Sequence, residues 1–502
     1  MTSALTSLVT ALVLGATALA PAAIASPASA SASATVSSVA AAAGPVIEPF
    51  PEGLTRLSGA DRYAVSVQIA RKYAPGVPVA YVAKGSDFPD ALSAAAAAAL
   101  EGGPLLLTPT NQLHPSVAAA LRDLQPERIV VVGGTGSVSA SVFTELQRIA
   151  PTQRIGGVDR YEASRNITGT AFLGSEGATT EVFLATGRTF ADALAASGAA
   201  GKAQAPVVLV DGTRSTVPQA TLDLLKDLEA TTISIAGGAA SVSSGIEGQL
   251  RSAGYTVQRY GGADRYAVAA GINAAYFEVG TTTGFFATGL TFPDALSGAA
   301  LAGRLGAPLY VTSPACLPEP VRSGAAALGL TTRVVLGGTS SVSATAAAGT
   351  GCLTSAAPSI SGTARVGYSL TANAGSWTPG TTLSYQWLAN GAAISGATGP
   401  TLSVTTAYVN KTLSVRVTGT QPGYTTVARV SSATARIAYP DRTPPASFST
   451  CPAWAPIKGN QNSKGEWIYH LPTGRDYAKT DPEECFRTEA AARAAGYRAS
   501  KV

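Results

Sequence analysis

Three pairs of arginines have the spacing in this chain that most invites a chemical reading. Arg56 and Arg62, Arg154 and Arg160, and Arg259 and Arg265 repeat one arrangement, with a Gly and an Asp set between them at constant offsets. The segments read Arg56-Leu-Ser-Gly-Ala-Asp61-Arg62-Tyr63, Arg154-Ile-Gly-Gly-Val-Asp159-Arg160-Tyr161 and Arg259-Tyr-Gly-Gly-Ala-Asp264-Arg265-Tyr266. A guanidinium is planar, stays charged, and grips phosphate or carboxylate groups through two N–H bonds at once. The same residue types also serve packing. Asp61, Asp159 and Asp264 stand where helix N-caps belong, and the arginines can pair with carboxylates such as Asp90, Asp192 or Asp294. Recurrence in every copy suits either role.

A second candidate is the turn Gly133-Gly134-Thr135-Gly136-Ser137 between a strand and a helix. Backbone N–H groups at such a place can cradle an anion, which makes Gly134 and Ser137 candidate contacts. The turn is neither a P-loop nor G-x-G-x-x-G, so no nucleotide cofactor is expected. His114 and His470 are the two histidines of the chain and lie in unrelated settings. With no H-E-x-x-H and no G-x-S-x-G, no catalytic residue, metal site or cofactor is assigned. Leu471-Pro-Thr-Gly474 lacks a residue between Pro and Thr and precedes no apolar tail, so covalent sorting is not expected.

The elements that must position these residues come in three copies. Phe88-Pro-Asp90-Ala-Leu92, Phe190-Ala-Asp192-Ala-Leu194 and Phe292-Pro-Asp294-Ala-Leu296 are evenly spaced, and Pro104, Pro206 and Pro308 open matching apolar runs. Gly133-Gly134, Gly237-Gly238 and Gly337-Gly338 then lead into Ser-Val-Ser. Four blocks in one order, three times over, mark a repeated supersecondary unit. Within a unit, short apolar strands (Val79–Ala83, Leu105–Thr108, Ile129–Val132) alternate with helices over 90–100, 117–124 and 141–149. That alternation predicts a parallel sheet covered on both faces, so each unit is a small doubly wound α/β fold. Gly198 and Gly298 fall inside their units' Ala-rich helices, where small residues suit close packing.

These blocks resemble the cell wall binding repeat 2 family of Gram-positive bacteria, and the resemblance covers residues 54–353. It implies three Rossmann-like domains in a pseudo-threefold arrangement. It further implies non-covalent attachment to the wall, with an anionic polymer or peptidoglycan as partner. The arginine pairs, Gly134 and Ser137 would then be polymer contacts.

Beyond Leu353 the texture becomes rich in Thr, Ser and Val. Alternating segments around Trp387 and Thr412–Thr418, separated by Asn390-Gly391 and Gly399-Pro400, predict an antiparallel sandwich over 358–439. It resembles bacterial immunoglobulin-like modules, with Trp387 in the core and Tyr408 near a strand corner. A linker at 440–450 leads to 451–502, whose motifs resemble the sunset domain, read as a hairpin plus a helix over Thr488–Ala495.

At 502 residues, of which 46% are hydrophobic and 13% charged, the chain calls for several globular units. A net charge of +5 without clustered Lys and Arg argues against nucleic acid as partner. Residues 1–30 read as a signal peptide, though no Lys or Arg precedes the apolar stretch, and 31–53 as an unstructured leader. No membrane is expected after cleavage. In an exported chain the four cysteines favour two disulfides, Cys316 with Cys352 and Cys451 with Cys485. The domain plan is 1–30, 31–53, repeats at 54–153, 154–258 and 259–353, then 358–439, 440–450 and 451–502. The expected protein is a secreted, wall-held monomer without enzymatic activity of its own. Its rivals are a wall hydrolase or nuclease-like enzyme, and an adhesin acting through residues 358–502.

Overall fold

The computed structural model describes residues 46–175 and 180–501. The expected signal peptide and most of the leader lie outside the described residues. The first copy runs β1 (Gly53–Leu57), α1 (Arg62–Ala70), β2 (Ala80–Lys84), α2 (Pro89–Glu101), β3 (Leu105–Thr108), α3 (Pro115–Leu124), β4 (Ile129–Val132) and α4 (Ala140–Gln147). The second runs β5 (Thr152–Ile155), α5 (Arg160–Phe172), β6 (Glu181–Thr186), α6 (Ala191–Lys202), β7 (Val207–Val210), α7 (Gln219–Asp227), β8 (Thr232–Ala236) and α8 (Ser244–Ser252). The third runs β9 (Thr256–Tyr260), α9 (Arg265–Tyr276), β10 (Thr283–Thr288), α10 (Pro293–Arg304), β11 (Leu309–Thr312), α11 (Glu319–Leu328), β12 (Thr332–Leu336) and α12 (Ala344–Ala347).

Each sheet is wholly parallel, and each borrows its last strand from the next copy. The orders are β3-β2-β4-β5, β7-β6-β8-β9 and β11-β10-β12-β1. The strand carrying Arg154 thus completes the first sheet, and that carrying Arg259 the second. The third sheet is completed by β1, from the far end of the repeat region, with Arg56 opposite Val335. The central strand β4 is buried along its whole length and its neighbour β2 at every residue before Lys84, as a sheet covered on both faces requires. The borrowed strands are half-exposed edges with no continuous apolar run, which is why their strand character is absent from the sequence pattern.

The Ala-rich helices α2, α6 and α10 pack on one another at the centre of the ring. A Cβ on Gly201 would sit 2.3 Å from the Gly303 Cα, so only glycine permits that crossing. Gly198 instead faces Leu309 of β11, and Gly298 faces Leu336 of its own sheet. Residues 31–53 were expected to form an unstructured leader, and from residue 46 that expectation fails. Ile47 bridges Tyr73, Glu48 pairs with Lys72 at 2.7 Å, and Phe50 packs edge-on against Phe285 at 5.6 Å. Two apolar side chains in an otherwise bland stretch suffice to hold it down.

The sandwich has two antiparallel sheets. One joins β13 (Ser359–Gly362), β14 (Ser369–Asn373) and β17 (Thr401–Ser403). The other joins β15 (Thr382–Ala389), β16 (Ala392–Ala393), β18 (Leu413–Thr420) and β19 (Val427–Val430). Trp387 is fully buried between them and its indole N–H donates to the Gly399 carbonyl at 3.0 Å. Asn390 and Gly391 both take positive φ in the two-residue β15–β16 turn, as the primed hairpin turns demand.

The tail forms a five-stranded sheet in the order β20 (Arg442–Thr443), β23 (Glu484–Phe486), β21 (Ile457–Gln461), β22 (Trp467–His470), β24 (Arg498–Ala499), with α13 (Glu489–Ala494) packed on it. Residues 442–443, expected in a linker, therefore belong to the sheet. Both disulfides are formed, Cys316–Cys352 and Cys451–Cys485, with Cα atoms 5.0 and 5.6 Å apart.

Candidate functional site at the joints between repeats

The first arginine of each pair pins the Gly-Gly turn of the sheet it completes. Arg56, Arg154 and Arg259 donate through Nη1 to the carbonyls of Gly337, Gly133 and Gly237 at 2.8, 2.8 and 3.0 Å. Arg154 also lies over the Phe143 ring at 4.9 Å, and Arg259 pairs with Glu247 at 2.7 Å. Burial pulls the Arg56 and Arg154 pKa values below the ordinary arginine value.

The second arginine clamps adjacent copies together. Arg62, Arg160 and Arg265 donate through Nη1 to Gly85, Gly187 and Gly289, the first two at 2.7 Å. Each guanidinium also lies over the phenylalanine of the preceding copy. The distances are 5.9 Å for Arg62 over Phe292, 5.8 Å for Arg160 over Phe88 and 5.7 Å for Arg265 over Phe190. The three rings form a triangle with centroids 5.6 to 5.9 Å apart. Cation–π contact at partly exposed sites contributes about 0.5–1 kcal/mol apiece, so three clamps stabilise the ring measurably.

Asp61, Asp159 and Asp264 cap α1, α5 and α9, accepting backbone N–H bonds of 2.8–2.9 Å. The motif glycine before each cap is required by that geometry. A Cβ on Gly157 would lie 2.4 Å from the Ala163 amide nitrogen, and one on Gly59 would lie 2.5 Å from the Ala64 Cβ.

Asp90, Asp192 and Asp294 were weighed as partners for the arginines, yet their hydrogen bonds come from serine. The Ser137 hydroxyl donates to Asp90 at 2.7 Å, and Ser241 and Ser341 serve Asp192 and Asp294. The carboxylates also press on the first glycine of each turn. A Cβ on Gly133, Gly237 or Gly337 would fall 2.1–2.4 Å from an Asp Oδ2, and all three glycines have positive φ. Burial raises the Asp192 and Asp294 pKa values; the serine bonds and the charges of Arg265 and Arg62 oppose the rise.

At the joint of the first and second copies these parts enclose a cleft of ≈250 Å³, lined by Lys84, Asp90, Gly134, Ser137, Asp159 and Arg160 among others. It lies beyond the carboxyl ends of β2, β4 and β5, where open parallel sheets take their ligands. Of the residues singled out as polymer contacts, Gly134, Ser137 and Arg160 line it. The Lys84 ammonium has no hydrogen-bond or ion-pair partner among the described residues. Its counterparts are Thr186 and Thr288, whose hydroxyls accept backbone N–H groups at 3.3 and 3.2 Å. Lys84 was not singled out from the sequence, although aligning the three copies reveals it as the odd member. Among the described residues no cluster of His, Cys, Asp and Glu is arranged to hold a metal. His114 stacks on Tyr63 at 5.0 Å and meets Ser116 at 2.8 Å, while His470 meets Asn460 at 3.1 Å.

Fold and site together define a closed ring of three parallel-sheet modules, with a motif-lined joint at each boundary. The chain belongs to the cell wall binding domain 2 (CWB2) family, whose model matches residues 56–143, 154–247 and 259–347. A second model, ArfC, matches residues 438–499, which cover all but the last three residues of the segment whose motifs suggested a sunset-type module. The chain is 28% identical over 289 residues to the N-acetylmuramoyl-L-alanine amidase LytC of Bacillus subtilis, covering 57% of this chain and 56% of that protein. It is 31% identical over 195 residues to the amidase enhancer of the same organism, covering 39% of this chain and 26% of that protein. The chain thus spans about half the length of the first of these relatives and a quarter of the second. Among solved structures, Cwp6 from Clostridium difficile shares the fold with a TM-score of 0.53 at 24% identity, over 59% of this chain and 48% of that one. Cwp8 from the same organism gives 0.52 at 23%, over 57% and 49%.

Proposed function

We propose that this chain is a secreted surface protein held non-covalently on a bacterial cell wall by its three repeats, with an anionic wall polymer as ligand. The carrying observation is the threefold match to the cell wall binding domain, arranged as a ring whose first joint opens at strand carboxyl ends. Lys84, with its free ammonium, and the open backbone at Gly134 supply cationic and N–H donor chemistry at the first joint. Arg56, Arg62, Arg154, Arg160, Arg259 and Arg265 support that chemistry by holding the turns and copies in place. The sandwich and tail project from the third repeat as non-catalytic modules.

The test is sedimentation of the full chain with isolated cell walls. Binding that disappears when anionic polymers are stripped from the walls supports the reading, and failure to sediment with intact walls overturns it. One observation, the likeness to an amidase, favours a second reading in which the chain itself cleaves wall material. Clearing on a wall-impregnated gel would establish that activity.

A further inference from the structure

The three copies differ at one helix pair, and the difference opens a groove. In the first copy α1 packs closely on α3, and in the third α9 packs closely on α11. Counting six residues on from the motif aspartates places Val67 and Ala270 at equivalent positions, both buried. The facing helices present Val117 and Val321, again fully buried. In the second copy the corresponding residues are Arg165 and Thr221. There α5 and α7 are parted, and two adjoining hollows of ≈570 Å³ each lie between them, both lined by Arg165.

Two polar groups in this groove lack partners. Thr221 is fully buried, lines one hollow, and its hydroxyl makes no hydrogen bond. Arg165 has no hydrogen-bond, ion-pair or ring partner among the described residues, although it is half-buried. A buried hydroxyl left unpaired costs about 1–3 kcal/mol, a penalty that the valines of the sibling copies avoid. Arg214 lines the same hollow, paired at 3.5 Å with Asp211 on its wall. Helix α7 begins behind Pro218 without a side-chain cap, leaving the Gln219 and Ala220 N–H groups open while that of Thr221 bonds the Pro218 carbonyl. The second hollow continues past Arg165 towards Asn166, Thr170 and the carboxylates of Glu162, Asp223 and Asp227. These are acceptors suited to sugar hydroxyls and not to an anion, so the acidic group is confined to the Arg165–Thr221 end.

We infer that the groove between α5 and α7 binds an acidic saccharide. A phosphate or carboxylate seats against Arg165, Thr221 and the α7 N-terminus, and the sugar hydroxyls lie along the second hollow. The groove adjoins the first joint, sharing Asp159 with its cleft, and the inference rests on and deepens the wall-polymer reading by naming a further site and its ligand.

The test titrates the full chain with glucose 6-phosphate, glucuronate and uncharged glucose, read by calorimetry or NMR. The expected result is binding of at least one acidic sugar and none of glucose, weakened at least tenfold in the double variant Arg165→Val/Thr221→Val. That variant restores the sibling packing, so its thermal midpoint is expected to equal or exceed that of the parent. The two acidic probes distinguish a phosphate from a carboxylate source. Binding that survives the double substitution, or no binding of either acid, overturns the inference. The wall reading is judged separately: failure of the parent chain to sediment with walls refutes that reading whatever the sugars do.

Discussion

Asp192 and Asp294 show how one residue ties two motifs together. Each joins the Phe-x-Asp block to the Gly-Gly turn by pressing on a glycine and accepting a serine hydroxyl. Replacing Gly237 (φ +106°) by Ala forces a Cβ to within 2.4 Å of a carboxylate oxygen in a left-handed backbone. The expected cost is about 1–3 kcal/mol, seen as a lower thermal midpoint. The carboxyls also predict a pH dependence. Their folded pKa values are raised above the ordinary 3.8, so the folded state holds these protons more tightly than the unfolded chain. Their contribution is fully present below about pH 3.8 and is lost as pH rises through the folded values. Asp192→Asn/Asp294→Asn is therefore expected to flatten the stability profile above pH 3.8 and to leave stability at pH 7 equal or higher, measured by denaturant titration across pH. A steeper profile in the variant would contradict the assignment.

The element of greatest consequence is the borrowed strand. β1 closes the third sheet through residues 53–57, paired with β12 from Thr332 to Leu336. A chain trimmed to begin at Ser58 leaves β12 as a bare edge while β4 and β8 keep their partners. Hydrogen exchange at Val334 and Val335 is expected to quicken by an order of magnitude or more, with Val130 and Ile235 unchanged. Equal acceleration in all three sheets would mean that the ring melts as one unit and that β1 has no local role. At this scale the central strands and the following helices were legible in the sequence, because apolar runs and Ala-rich stretches announce them. The borrowed edge strands were not legible, since a half-exposed strand such as Thr152–Ile155 carries no periodic signal and owes its form to the neighbour it pairs with.

Across the whole molecule, the sandwich is docked rather than strung out. Tyr424 stacks against Arg322 at 4.5 Å, accepts its N–H at 2.7 Å and reaches Glu319 at 3.0 Å. The Cys316–Cys352 disulfide lies beside this contact, since Leu317 and Gly351 bridge one another and Gly351 bridges Tyr424. The tail is held in turn by Asp441 between Arg365 and Arg487, and by Tyr439 stacked on Trp454 at 4.5 Å. Tyr424→Ala is expected to free the sandwich, giving a larger radius of gyration in solution scattering while the repeats keep their thermal midpoint. Cys316→Ser/Cys352→Ser is expected to cost the third repeat about 3–4 kcal/mol through the loop it releases. An unchanged scattering profile for Tyr424→Ala would show that the remaining bridges hold the joint alone.

The amino-acid sequence by itself determined the threefold repeat, the parallel α/β character of each unit and the capping aspartates. Period, apolar runs and cap chemistry are local properties that need no partner to be read. The two cysteine pairs were also assigned correctly from their count and spacing. Tertiary structure alone decided which groups within the chain the six arginines touch. Their acceptors are backbone carbonyls of other strands and rings of other copies, which no spacing encodes. It alone closed the ring by placing β1 on β12, because pairing between residues some 280 positions apart depends on the geometry of all three copies together. It also placed Lys84 at the cleft of the first joint and Arg165 in the groove between α5 and α7, positions that depend on how distant segments fold together.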